Sequence, residues 1–301
     1  MEQIILNSLI SAGIYSLIAF SFTVIYSTIR FFHLAHGAVY TVGAYAAYSI
    51  VYMSMISGSF VGETKAVPMM IYIFAILVSA IVAAFLGGAI DRLVYKPLRK
   101  KKASNLILLL TSFGVFIFIQ NLIALLYGNQ NLTLKTGPVK EGIHFLGAII
   151  TPIQILIISL AFFLFLFLFF ITGYTKMGKA MRAVSDDPVT SSISGIDPEK
   201  IILFSSILGS ALAGLSGAII SLETNLDPYM GFNMLLKGII AVIIGGIGRF
   251  SGALLGCLFL GFTENLAAWF MPVRWKDAIV FGVFLLFLLF RPQGILGKKE
   301  S

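Results

Sequence analysis

Long apolar runs alternate with short polar breaks along almost the whole chain, and most runs approach the 20 or so helical residues that span a hydrocarbon layer. The pattern predicts about nine segments: Ile4–Tyr26, Gly37–Met55, Val67–Ile90, Asn105–Tyr127, Pro152–Ile171, Ile201–Leu222, Leu236–Ile247, Gly252–Phe270 and Asp277–Phe290. Leu236–Ile247 is too short to cross alone as a straight helix and is read as a short or interrupted span. The expected fold is therefore all-α, a polytopic helical membrane protein with about eight to nine transmembrane segments. It is taken as a single transmembrane domain covering residues 1–301.

The breaks carry the orientation signal, because Lys and Arg accumulate in cytoplasmic loops. Arg92, Lys96, Arg99, Lys100, Lys101 and Lys102 crowd one break, and Lys176, Lys179, Arg182 and Lys200 another, two spans later. Both are placed inside. The intervening loop, with only Lys135 and Lys140, is placed outside. Parity then puts Arg30 inside and the N-terminus outside, and Arg291, Lys298 and Lys299 inside if Leu236–Ile247 crosses.

Composition agrees with lipid as the solvent. Of 301 residues, 58% are hydrophobic and 11% charged, against about 45–50% and about 25% in soluble domains. The net charge of +8 does not point to nucleic acid, since the basic residues sit between apolar runs and not in a stripe with exposed aromatics. A single cysteine, Cys257, excludes an intrachain disulfide framework and is read as packing. The N-terminus has Glu2 and no basic residue before Arg30, so the first run is expected to remain as a membrane helix.

Two stripes of small residues suggest close helix contacts. Ser205, Gly209, Ala213, Gly217 and Ser221 recur every fourth position, and Gly248, Gly252 and Gly256 repeat the spacing near the C-terminus.

The polar insert 173–200 has internal structure. Met177, Ala180, Met181 and Val184 fall at i, i+3, i+4 and i+7, one face of a helix. Asp187-Pro188 is an N-cap with proline at the first helical position, and Gly195 is suited to close that short helix in the left-handed conformation. Asp197-Pro198 repeats the start signal for the next span. An amphipathic helix containing methionine suits docking into a partner's groove, or lying among lipid headgroups.

The order Thr175, Gly178, Ala180, Arg182, Ala183, Asp187, Gly195, Ile196 resembles the cytoplasmic loop of the LivH/LivM permeases of bacterial branched-chain amino acid ABC importers. The likeness extends through Phe204, Ser206, Ala213, Gly214 and Gly217, through Gly245, Gly246, Gly248, Gly252 and Gly256, to Arg291-Pro292-Gln293-Gly294. Near the N-terminus Arg30, Leu34, Ala35, His36, Gly37, Gly43, Ala44 and Tyr45 resemble the LivH side. His33 departs from the family's usual asparagine, and Ser191 from a common alanine.

The resemblance implies a permease in the bacterial cytoplasmic (inner) membrane. Its implied partners are a second, LivM-like permease, two cytoplasmic LivG/LivF-like ATP-binding subunits, an extracytoplasmic binding protein and membrane lipid. The ATPase would act on the insert, with Thr175, Met177, Gly178, Ala180, Met181, Arg182, Ala183, Val184, Asp187 and Gly195 as coupling residues. Met177, Ala180, Met181 and Val184 are assigned to partner contact, and Arg182 with Asp187 to fixing the helix pair.

No catalytic, cofactor or metal site is expected. GYTKMGKA at Gly173–Ala180 approaches a phosphate loop but lacks its terminal hydroxyl and follows a membrane span. His33 and His36 lack further ligands nearby and read as helix-boundary residues. With Gln120, Asn121, Glu223 and Glu264 they are also candidates for the translocation path, since polar groups at membrane depth are costly unless they face protein or water. Permeases of the same superfamily for urea, amides, other amino acids or sugars remain open, as does an ion-coupled secondary transporter.

Overall fold

The computed structural model describes residues 1–56, 67–134, 142–145 and 147–297. Lys135, Lys140, Lys298 and Lys299, counted in the charge bias, lie outside the described residues. The chain runs through α1 (Glu2–Ile29), α2 (Ala35–Ile56), α3 (Met69–Ile90), a π-helical turn (Asp91–Tyr95), α4 (Lys96–Lys100) and α5 (Asn105–Tyr127). A hairpin of β1 (Ile143–Phe145) and β2 (Ala148–Ile150) leads to α6 (Pro152–Tyr174), α7 (Lys176–Asp186) and α8 (Pro188–Ile193). Then follow α9 (Pro198–Ile220), α10 (Met230–Gly245), α11 (Phe250–Phe270) and α12 (Lys276–Phe290).

Among the described residues, seven helices are long and apolar enough to cross a membrane, the longest running unbroken from Met69 to Lys100. The chain is a multi-pass helical membrane protein. Helices α10, with 16 residues, and α12, with 15, are shorter. At 1.5 Å per residue α10 spans about 24 Å, less than the ~30 Å hydrocarbon layer.

Phenylalanines at 162, 163 and 170 on α6 are largely exposed, as expected of a lipid-facing surface. Thr151 opens that helix with a capping box: its hydroxyl accepts from the Gln154 backbone, and the Gln154 side chain accepts from the Thr151 backbone.

The helices form two compact units. One comprises Met1–Thr23, Lys140–Thr175 and Leu236–Ser301; the other comprises Val24–Val139 and Lys176–Leu235. In the second unit α9 packs on both α2 and α3 through its small residues. A β-carbon on Gly43 would overlap the Gly214 backbone, and one on Gly217 would overlap the Tyr40 carbonyl. Gly209 and Ala213 are also buried. At Gly214 and Gly217 the α9 backbone thus approaches its neighbours too closely for any side chain.

In the first unit, Gly252 bears on Gly245 and Gly256 on the Ala241 carbonyl, so α10 and α11 meet through glycines. Gly248, expected in the same stripe, instead lies in the turn between those helices. Its φ is +82°, and a β-carbon there would meet open space, so it bends the chain and packs against nothing. The segment after α12 folds back onto α10: the Ile295 amide donates to the Ile244 carbonyl at 2.8 Å and the Leu296 amide to the Gly245 carbonyl at 3.0 Å. These bonds satisfy carbonyls that a helix end would leave bare.

Candidate functional site

The polar insert is ordered into α7 and α8, both packed on α9. Asp187 caps α8, accepting from the Val189 amide at 2.9 Å and from the Thr190 hydroxyl. Those bonds hold its carboxyl below the ordinary range. Asp197 does the same for α9, accepting from the Glu199 and Lys200 amides, and is likewise lowered. Gly195 has φ +83°, a left-handed residue between the two helices.

Three residues expected on the coupling surface are buried: Gly178, Met181 and Val184. Met181 is 2% exposed and Val184 1%. Half of the expected docking face therefore serves the chain's own packing, because a 3.6-residue period reports a shared face and not what covers it. Met177, Ala180 and Ala183 are partly exposed, while Arg182 and Asp187 are exposed. Two apolar residues that sequence reasoning passed over, Val189 and Ile193, stand one turn apart on α8 at 69% and 83% exposure. Thr175 closes α6, its hydroxyl donating to the Ile171 carbonyl.

Arginine contacts hold this platform. Arg30, with φ +55°, donates through Nε to Ser185 Oγ at 2.7 Å and through Nη2 to Asp186 at 2.8 Å. Arg99 forks twice, onto Asp91 at 2.7 and 3.2 Å and onto Glu199 at 2.9 and 3.3 Å. Neither arrangement was foreseen. The only signal was an acidic residue in the first turn of one helix and a basic one at the end of another.

The path candidates sit in different settings. His33 and His36 are buried with ring centroids 5.8 Å apart, and His33 sits against the edges of Phe31 and Tyr95. That setting pushes His33 down to about 3 by desolvation. Gln120 is buried on α5, whereas the neighbouring Asn121 bonds back to the Ile117 carbonyl of its own helix. Glu223 is partly exposed in the turn after α9.

Glu264, wholly buried on α11, is the centre of a charge cluster. Lys237 of α10 reaches it at 2.8 Å and Lys276 of α12 at 3.0 Å, and the Tyr15 hydroxyl of α1 donates to it. Lys237 also pairs with Asp277 at 3.0 Å. Two carboxylates and two ammoniums leave this cluster neutral overall, which is how ionised groups are tolerated at membrane depth. Sequence reading missed Lys237. A lysine inside the short apolar run 236–247 was the available clue.

A predominantly helical, lipid-facing chain with a compensated charge cluster and an ordered polar platform between its spans has the build of a membrane transport subunit. The family described as "branched-chain amino acid transport system / permease component" matches residues 4–288, and the chain belongs to it. It is 32% identical over 305 residues to the high-affinity branched-chain amino acid permease LivH of Escherichia coli, covering 99% of this chain and 96% of that protein. Identity to BraD of Pseudomonas aeruginosa is 33% over 303 residues, with the same coverage. A probable LivH of Methanocaldococcus jannaschii is 26% identical over 310 residues, 98% of this chain and 92% of that one. No solved structure matches.

Proposed function

We propose that the chain, working as one permease domain, moves leucine, isoleucine and valine across the bacterial cytoplasmic membrane as a subunit of an ABC importer. The observation that carries this reading is the match to permeases named for branched-chain amino acids over 99% of the chain. The capped, ordered platform of α7 and α8 adds to it.

The chain itself does not hydrolyse ATP. Two cytoplasmic ATP-binding subunits dock on the platform, a second homologous permease completes the pathway, and a binding protein delivers substrate from outside. The N-terminus is outside and the C-terminus cytoplasmic. Docking uses the exposed side of the platform: Val189 and Ile193 offer the apolar contact, and Lys179 and Arg182 the charge. Alternate access arises from two arrangements of the helices, biased by nucleotide state in the docked partner.

An ion-coupled carrier would use a carboxylate free to gain and lose a proton. Glu264 is instead wholly buried and engaged by two ammoniums and a hydroxyl, contacts that join α1, α10, α11 and α12.

Purification from native membranes tests the proposal. The expected result is recovery with two ATP-binding subunits and a second permease, and ATP-dependent leucine uptake after reconstitution with the binding protein. Uptake by the chain alone in vesicles without ATP would overturn it.

A further inference from the structure

Two ionic contacts of different character help tie the insert to the rest of its unit. At the end of α7, Arg30 and Asp186 pair with their side chains 58% and 75% exposed. Water and salt screen such a pair, and it yields easily. At the start of α9, the Arg99 side chain is 13% exposed, Asp91 2% and Glu199 35%. There the guanidinium meets two carboxylates at once, each through two donors. This is a planar, bidentate geometry that a lysine cannot reproduce.

The three residues belong to different parts of the unit. Asp91 opens the π-helical turn that follows α3, and Arg99 lies in α4 beyond it. In a π turn the hydrogen bonds run i→i+5, which resets the angular position of everything downstream. Glu199 is the second residue of α9, two positions after the Asp197 cap that terminates the insert. Further along, α3 and α9 are locked by close packing, since a β-carbon on Gly87 would overlap Ser210 and one on Gly214 would overlap Ala83.

We infer that Arg99 is a positioning residue for energy coupling: it clamps the exit of the insert, through Glu199, to the α3–α4 rod. A displacement of α7 and α8 then reaches α9 and α3 together and is not absorbed in a flexing joint. The inference rests on the reading of the insert as the ATPase docking platform. The loose Arg30 contact lets α7 shift, and the tight Arg99 contact makes that shift do work on the bundle. Glu199 carries the load across the joint, and Asp91 fixes the guanidinium from behind.

The test uses the whole complex in proteoliposomes, with leucine uptake and ATP hydrolysis measured side by side. Glu199→Gln removes one arm and leaves the Arg99–Asp91 pair intact; Arg99→Lys keeps the charge and loses the fork. Both variants should copurify with the ATP-binding subunits and hydrolyse ATP within about twofold of wild type, while uptake per ATP falls about tenfold, a coupling loss of ordinary allosteric size. Glu199→Asp, which retains the carboxylate, should recover part of the loss.

Unchanged uptake per ATP in Glu199→Gln would overturn the clamp. So would loss of the complex in both variants, which would make Arg99 a structural brace only. Ile193→Arg separates this outcome from failure of the docking reading. If that variant keeps its ATP-binding subunits and transports normally, the platform is not where they dock. If it loses them while Glu199→Gln remains fully coupled, only the clamp is wrong.

Discussion

Replacing Glu264 with glutamine removes the charge on which Lys237, Lys276 and Tyr15 converge. Breaking a buried ion pair from one side costs about 3–5 kcal/mol, because the remaining charge is left without compensation. Here the loss is softened. Lys237 keeps Asp277, whose side chain is 68% exposed, and Lys276 reaches solvent with 29% of its side chain exposed. An estimate of about 3 kcal/mol follows, at the low end of that range. At the 2–4 °C per kcal/mol typical of larger domains, it corresponds to a fall in Tm of roughly 6–12 °C.

The decisive measurement is a double-mutant cycle on thermal unfolding in detergent. Lys237→Met alone should also destabilise, but Glu264→Gln with Lys237→Met should cost at least about 1 kcal/mol less than the two singles added, since the double variant buries neither charge. A Glu264→Gln protein with unchanged Tm, or a double variant equal to the sum of the singles, would refute the view of this cluster as a mutually dependent network.

Two further outcomes follow from the packing. His33 is held neutral by burial, with a value of about 3. Below the ordinary value near 6.5 the unfolded chain binds the proton first, so stability should fall as pH drops, by about 2 kcal/mol at pH 5. Melting from pH 7.5 to 5 checks this, and equal slopes for wild type and His33→Asn would refute it. Gly43→Val should destabilise by roughly 3 kcal/mol, because the added β-carbon meets the Gly214 backbone, which cannot retreat as a side chain can. Gly114→Ala, where the same atom meets open space, is the control and should leave Tm unchanged or slightly higher.

The elements that the sequence marks most clearly are those set by local chemistry. The runs from Asn105 to Tyr127 and from Pro152 onward become helices at the predicted starts, because an apolar stretch of that length in lipid has no cheaper way to satisfy its backbone. Asp187-Pro188, Asp197-Pro198 and Gly195 act as read, since capping is decided within a few residues.

What stayed hidden depends on distance along the chain. Arg99 and Glu199 lie 100 residues apart in the chain, and a loop full of lysines offers no hint of which basic residue turns inward. Lys237 was obscured by the apolar residues around it. The face of α7 was identified but not its owner: Met181 and Val184 suit a partner's groove and the chain's own α9 equally well by periodicity. The β1–β2 hairpin arises in a loop whose pattern gave no strand signal.

The fold-back of Ile295 and Leu296 onto the end of α10 has a bearing on how the protein is made. Helix α10 is short and carries a lysine whose buried partner, Glu264, lies 27 residues downstream. Its last carbonyls are bonded by residues from beyond α12. As the chain leaves the ribosome, α10 emerges with neither its counter-ion nor its final hydrogen bonds. Its settling into the bilayer must wait until Glu264 and then Ile295 and Leu296 have been made, so the assembly of this unit is timed by residues well downstream of α10, and a stop codon just before Ile295 should be damaging although it spares α1 to α12.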